Sequence, residues 1–124
     1  MVKLLVIEDD EYLLQYLSLF LTQKGYEVVS AINGEIGLEL FELEKPDLVL
    51  TDIIMPEVEG IEVIMKLRDT HADLPIIAMS AGLQNSAEIY LEMAQKLGAT
   101  SIIKKPLDMP ELLSCIENLL SNTK

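Results

Sequence analysis

The chain is predicted to fold as an α/β sandwich, with helices covering both faces of one parallel sheet. Three observations predict this. Strand-like and helix-like segments alternate from end to end, giving a β-α unit five times over. The first, third and fourth strand-like runs are apolar almost throughout, as strands covered on both faces must be. No internal repeat and no linker-like stretch interrupts the alternation, so residues 1–124 are read as one domain.

The elements follow in order. Leu4-Leu5-Val6-Ile7 is the first strand and stops at Glu8-Asp9-Asp10. Leu13, Leu17, Phe20 and Leu21 then recur at helical spacing, and Gly25 ends that run. Tyr26 to Ala31 reads as the second strand. Asn33-Gly34 opens a helix carrying Ile36, Leu40, Phe41 and Leu43, which Lys45-Pro46 breaks. Leu48-Val49-Leu50-Thr51 is the third strand and stops at Asp52. A loop from Ile53 to Glu59 leads through Gly60 to a stripe of Ile61, Ile64 and Leu67. Pro75 opens the fourth strand, Ile76 to Met79, which stops at Ser80. Gly82 to Asn85 reads as loop; Ile89, Met93 and Leu97 share a helical face, with Gly98 as a left-handed cap. Ser101 to Lys104 is the fifth strand and stops at Lys105-Pro106. Asp108 with Glu111 three residues on resembles a capping box for a last helix bearing Leu112, Ile116, Leu119 and Leu120.

Composition narrows the function. A formal charge of −12 opposes direct binding to a nucleic-acid backbone or to an anionic membrane. No apolar run reaches 18 residues, so no membrane span is predicted. The N-terminus lacks the apolar region and cleavage site of a signal peptide, and a cytoplasmic location is the default expectation. Cys115 is the only cysteine and is read as a packed or partly buried thiol. His71, the only histidine, is read as a solvated side chain near a helix end, and Met65 and Met79, with Met55 and Met93, as core or loop packing.

If the strands are parallel neighbours, their carboxyl ends lie side by side and bring Glu8, Asp9, Asp52, Ser80 and Lys105 to one rim. Two carboxylates about 4 Å apart repel by about 1 kcal/mol in water and about 4 kcal/mol at an effective dielectric of 20. Three together call for a cation. An all-oxygen set suits Mg2+ or Mn2+, and no cluster of His or Cys suggests zinc. A cation, an ammonium and a hydroxyl facing a carboxylate make a site for a phosphoryl group, whose transfer needs mainly positioning and charge neutralisation.

Glu8-Asp9 after the first strand, Asp52 with Met55-Pro56 behind it, Ser80-Ala81 after the fourth and Lys105-Pro106 after the fifth resemble the receiver domain of bacterial two-component response regulators. The resemblance covers the whole chain. It implies a flavodoxin-like three-layer sandwich, with a five-stranded sheet of order 2-1-3-4-5 and five helices. It implies Asp52 as phosphoacceptor, and Asp9, Asp52 and the main-chain carbonyl of Ile54 as ligands of Mg2+ or Mn2+, with Glu8 acting through a metal-bound water. Ser80 and the Ala81 amide would meet the phosphoryl group, and Lys105 would pair with the acceptor and then with phosphoryl oxygens. The Lys105-Pro106 bond would be cis. Asp10 is read as a helix cap and Lys104 as a surface residue.

The implied donor is a phosphohistidine on a histidine kinase or histidine phosphotransfer protein. The implied output is a repacked surface of the fourth helix, fifth strand and fifth helix, read by a downstream protein or a fused output domain, as a monomer or an activation-dependent dimer. Such a domain is a switch rather than an enzyme, catalysing only its own phosphorylation and dephosphorylation. Two features depart from the usual pattern: Ile102 stands where many receivers carry Tyr or Phe, and the interval from Ser80 to Lys105 is slightly longer than in compact relatives. Ile54 and Gly82 stand at sites that influence loss of the phosphoryl group and cannot orient an attacking water, which predicts slow self-dephosphorylation.

Rival readings are a Mg2+-dependent phosphohydrolase with Asp52 as nucleophile, a flavin-binding domain, and a receiver-like binding module that is never phosphorylated. The first usually carries a second aspartate two residues on, where this chain has Ile54. The second wants a Ser/Thr/Gly-rich loop where this chain has Glu8-Asp9-Asp10.

Overall fold

A computed structural model describes residues 1–53, 60–80, 92 and 95–121. It contains strands β1 (Lys3–Ile7), β2 (Glu27–Ala31), β3 (Leu48–Asp52), β4 (Ile76–Ser80) and β5 (Ser101–Lys104). Helices α1 (Glu11–Gln23), α2 (Gly34–Glu44) and α3 (Gly60–Thr70) and a C-terminal helix (Met109–Ser121) alternate with them. The five strands form one parallel sheet in the order β2-β1-β3-β4-β5. Residues 95–97 are helical and lead to Gly98, whose φ of 114° provides the left-handed exit anticipated there. Ile89 and Met93 of the anticipated fourth helix lie outside the described residues.

Caps set the helix boundaries. The amides of Tyr12 and Leu13 donate to Asp10 Oδ1 at 3.0 and 3.2 Å, so Asp10 is the α1 cap. The Ile36 amide donates to Asn33 Oδ1 at 2.8 Å, and the Glu111 amide to Asp108 Oδ1 at 3.1 Å. Arg68 closes the opposite end of α3, donating to the carbonyls of His71, Ala72 and Gly98.

Because the side chains of a strand alternate, the sheet separates two cores. Leu5, Ile7, Val49, Ile76 and Ala78 pack on one face with Phe41, Val63, Ile64 and Leu67. Leu4, Val6, Leu48, Leu50, Ile77 and Met79 pack on the other with Leu14, Leu17, Leu21, Leu112 and Ile116.

The structure departs from the sequence reading at a few side chains. Leu14, not Leu13, is a buried position of α1; Leu43 and Met65 are exposed. His71 is only half exposed, because its ring meets that of Phe41 edge-on at 4.7 Å and its Nδ1 pairs with the Thr70 hydroxyl at 2.7 Å.

Candidate functional site

Parallel pairing puts the carboxyl ends of β1, β3, β4 and β5 on one rim. Ile7 is level with Thr51, Asp52 with Met79, and Ser80 with Lys104. The connection after β1 runs to β2 on one side of the sheet, whereas the connection after β3 runs to β4 on the other. The crevice between the ends of β1 and β3 is therefore the topological switch point, where ligands bind in open parallel sheets. Glu8, Asp9 and Asp52 occupy it.

Local backbone bonds hold each group there. The Glu8 amide donates to Ala31 O at 3.0 Å, and Glu8 Oε2 accepts from the Asp10 amide at 3.0 Å. These bonds turn the Glu8 side chain inward, where it is 0% exposed, while Asp9 remains exposed. The Ile53 amide donates to Met79 O at 3.0 Å, tying the end of β3 to β4. The Lys105 amide donates to Ser80 O at 2.7 Å, which brings Lys105 around to the buried Ser80. The Lys105-Pro106 peptide is cis, as the resemblance implied.

Lys105 Nζ lies 2.5 Å from Glu8 Oε1 and 3.3 Å from Asp52 Oδ2. Carboxylate oxygens of Glu8, Asp9 and Asp52 all lie within 4.8 Å of one another. Burial pushes the Glu8 carboxyl above its ordinary pKa, against the pull of its hydrogen bond from Lys105. Burial alone would pull the Lys105 ammonium down, but the hydrogen bond to Glu8 and the charges of Asp52 and Glu8 outweigh it and hold the pKa above the ordinary lysine value. The donor set fits a hard divalent cation: three carboxylates from two strand ends, one exposed to solvent, with oxygen as the only ligand atom.

The structure thus brings Glu8, Asp9, Asp52 and Lys105 into one cluster and sets Ser80 at the neighbouring strand end. Ile54, Ala81 and Gly82 lie outside the described residues. One difference concerns Lys105, whose shorter contact is with Glu8 rather than with Asp52. Two neighbours of Asp52 carried no role in the sequence reading. Thr51 Oγ1 donates to the Asp52 carbonyl at 3.0 Å. Gly60 lies so close that a Cβ there would fall 1.7 Å from the same oxygen. The signal for Thr51 was present in the sequence, as a hydroxyl ending an otherwise apolar strand.

A doubly wound parallel sheet with an acidic, lysine-bridged cluster at its switch point defines the class, a flavodoxin-like α/β domain with a polar ligand site. The model of the response regulator receiver domain family matches residues 4–117, and the chain belongs to that family. It is 38% identical over 122 residues to the probable transcriptional regulator ycf27 of Cyanophora paradoxa, covering 98% of this chain and 49% of that protein. It is 32% identical over 122 residues to the alkaline phosphatase synthesis transcriptional regulatory protein PhoP of Bacillus subtilis, covering 98% of this chain and 50% of that protein. The chain therefore spans about half the length of the curated relatives it matches. Among solved structures, the response regulator TrrA of Thermotoga maritima, in complex with Mg2+-BeF, superposes with a TM-score of 0.84 at 29% identity, covering 96% of this chain and 99% of that one. The function that follows is that of a receiver domain in two-component signalling. Among the described residues no helix is long and apolar enough to cross a membrane.

Proposed function

We propose that residues 1–124 form a single receiver domain in which Asp52 accepts a phosphoryl group from a phosphohistidine. An Asp52 carboxylate oxygen forms the new O–P bond as the P–N bond of the donor breaks, and the donor imidazole leaves with the electron pair. Glu8, Asp9 and Asp52 would hold Mg2+ or Mn2+, and the main-chain carbonyl of Ile54, outside the described residues, is the further ligand the resemblance implies. When bound there, the cation neutralises the carboxylates and the incoming phosphoryl oxygens. Lys105 contributes a second positive charge, from the end of β5. The Ser80 hydroxyl, at the end of β4, donates to the transferred group.

The observation that carries this reading is the convergence of Glu8, Asp9 and Asp52 oxygens within 4.8 Å, with the Lys105 ammonium in ion-pair contact with Glu8 and Asp52. The likeness to TrrA, whose structure is in complex with Mg2+-BeF, supports it. The donor is a histidine kinase or a histidine phosphotransfer protein. The signal passes to a downstream protein or an attached output domain, through a surface that includes β5 and the C-terminal helix. The domain is a cytoplasmic switch that catalyses only its own phosphorylation and dephosphorylation, as a monomer or an activation-dependent dimer.

Incubation with Mg2+ and acetyl phosphate, followed by intact-mass measurement, tests this reading. The native chain gains the mass of one phosphoryl group; Asp52→Asn gains none, and chelation of the metal abolishes the gain. Equal incorporation in Asp52→Asn places the acceptor elsewhere, and no incorporation from acetyl phosphate or from phosphohistidine donors favours a binding module.

A further inference from the structure

Thr51 is a polar side chain in an apolar place. It is 0% exposed and is the fourth residue of β3, whose preceding residues, Leu48, Val49 and Leu50, are all fully buried. Its register neighbours are Ile7 on β1 and Ala78 on β4, both in the core that α2 and α3 cover. Valine has nearly the same shape, suits a buried strand at least as well and carries no hydroxyl to desolvate. Packing therefore gives no reason for threonine here.

The hydroxyl has a specific use. Thr51 Oγ1 donates at 3.0 Å to the carbonyl of Asp52, the next residue. The other side of that same peptide unit, the Ile53 amide, donates to Met79 O at 3.0 Å. Gly60 closes on the same carbonyl, with no room for a Cβ, and its amide donates to Ile53 O at 2.9 Å. The plane of the Asp52–Ile53 peptide is thus held from both sides, at the point where the chain leaves the sheet. The Asp52 Cα carries both that carbonyl and the side chain, so a shift of the peptide that moves the Cα carries the carboxylate with it.

We propose that Thr51 is a positioning residue for Asp52, its buried hydroxyl fixing the Asp52–Ile53 peptide so that the carboxylate faces Lys105 and the oxygens of Glu8 and Asp9. The inference rests on the reading of Asp52 as phosphoacceptor for its kinetic consequence, and on geometry alone for its structural one.

The test compares wild type, Thr51→Val and Thr51→Ser. Thr51→Val should stay folded and melt somewhat below the wild-type temperature, because the buried Asp52 carbonyl loses the hydroxyl that donates to it. Its rate of phosphorylation by acetyl phosphate at saturating Mg2+ should fall far more, by up to about a hundredfold, the scale reached when a reacting group is misplaced by about 1 Å. Thr51→Ser restores the hydroxyl and should recover most of the rate. A crystal structure of Thr51→Val should show the Asp52 carboxylate turned from Lys105 or split between orientations. A wild-type rate in Thr51→Val, a Thr51→Ser rate as low as that of Thr51→Val, or an unmoved, singly ordered Asp52 in the Thr51→Val crystal would overturn the proposal. If wild type itself accepts no phosphoryl group, the acceptor reading fails, and the orientation of Asp52 in the Thr51→Val crystal decides the positioning role by itself.

Discussion

Lys105 is one ammonium serving two carboxylates, Glu8 and Asp52, within a cluster that also contains Asp9. Three negative groups against one positive group leave the metal-free cluster electrostatically unfavourable. Removing one carboxylate should therefore help the fold while harming cation binding. Asp9→Asn is the clean case, because Asp9 is exposed and is not an ion-pair partner of Lys105 among the described contacts. Thermal melts without metal should place Asp9→Asn at or above wild type. Adding Mg2+ should raise the wild-type melt, by about 2.7 kcal/mol of stability at a concentration 100-fold over Kd, and leave Asp9→Asn nearly unmoved. An equal Mg2+ response in both would remove Asp9 from the cation site. The identities of Glu8, Asp9, Asp52, Ser80 and Lys105 were legible in the sequence because each stands where an apolar run stops. The preference of Lys105 for Glu8 was not, because it depends on how ends 97 residues apart in sequence settle against each other.

Helix and strand boundaries were legible wherever a local chemical signal marked them. Asp10, Asn33 and Asp108 each cap the helix that the sequence assigned to them. Side-chain faces were less legible: Leu43 fits an apolar stripe and yet lies 77% exposed, because α2 meets the sheet through Gly37 and Phe41 instead. The close approach at Gly37 could not be read from periodicity, since it depends on Ile7 of β1 lying directly beneath. A Cβ at Gly37 would meet Ile7 side-chain carbons at 2.4 and 2.8 Å, whereas a Cβ at Gly60 would meet the backbone of Asp52 and Ile53. A buried side chain can shift a little, but the sheet backbone cannot without moving the strand end. Gly37→Ala should cost about 1–3 kcal/mol by overpacking, and Gly60→Ala should cost more. Chemical denaturation ranks them, and a milder effect at Gly60 would contradict the geometry. Lys45 ends α2 at φ 48°, a left-handed conformation that costs a side-chain-bearing residue about 1–2 kcal/mol. Lys45→Gly should therefore stabilise the domain by about 0.5–1 kcal/mol, since glycine gives back part of the gain as unfolded-state entropy. An unchanged or lower denaturation midpoint would show that the strain is relieved elsewhere.

At the scale of the molecule, alternation and doubly apolar strands made the sandwich legible, but they say nothing about strand order. The order came with the family resemblance, carried by four motifs at strand ends, and the observed β2-β1-β3-β4-β5 sheet agrees with it. Among the described residues, that order brings Glu8, Asp9, Asp52 and Lys105 together at the switch-point rim. It does so on a chain whose formal charge is −12. Long-range repulsion should therefore slow the approach of any anionic phosphodonor, although Lys105 and a bound cation attract it at close range. Salt shortens the reach of the repulsion, to about 10 Å at 0.1 M and about 3 Å at 1 M, while ion contacts within a half-buried pocket are screened far less. With Mg2+ held at saturation, the second-order rate constant for acetyl phosphate should accordingly rise several-fold between low salt and about 0.2 M, the direction expected when like charges meet. Stopped-flow or intact-mass time courses at constant free Mg2+ measure it. A rate that falls with salt would mean that the local positive charge of Lys105 and the cation governs encounter, and that the acidity of the rest of the surface has no kinetic effect.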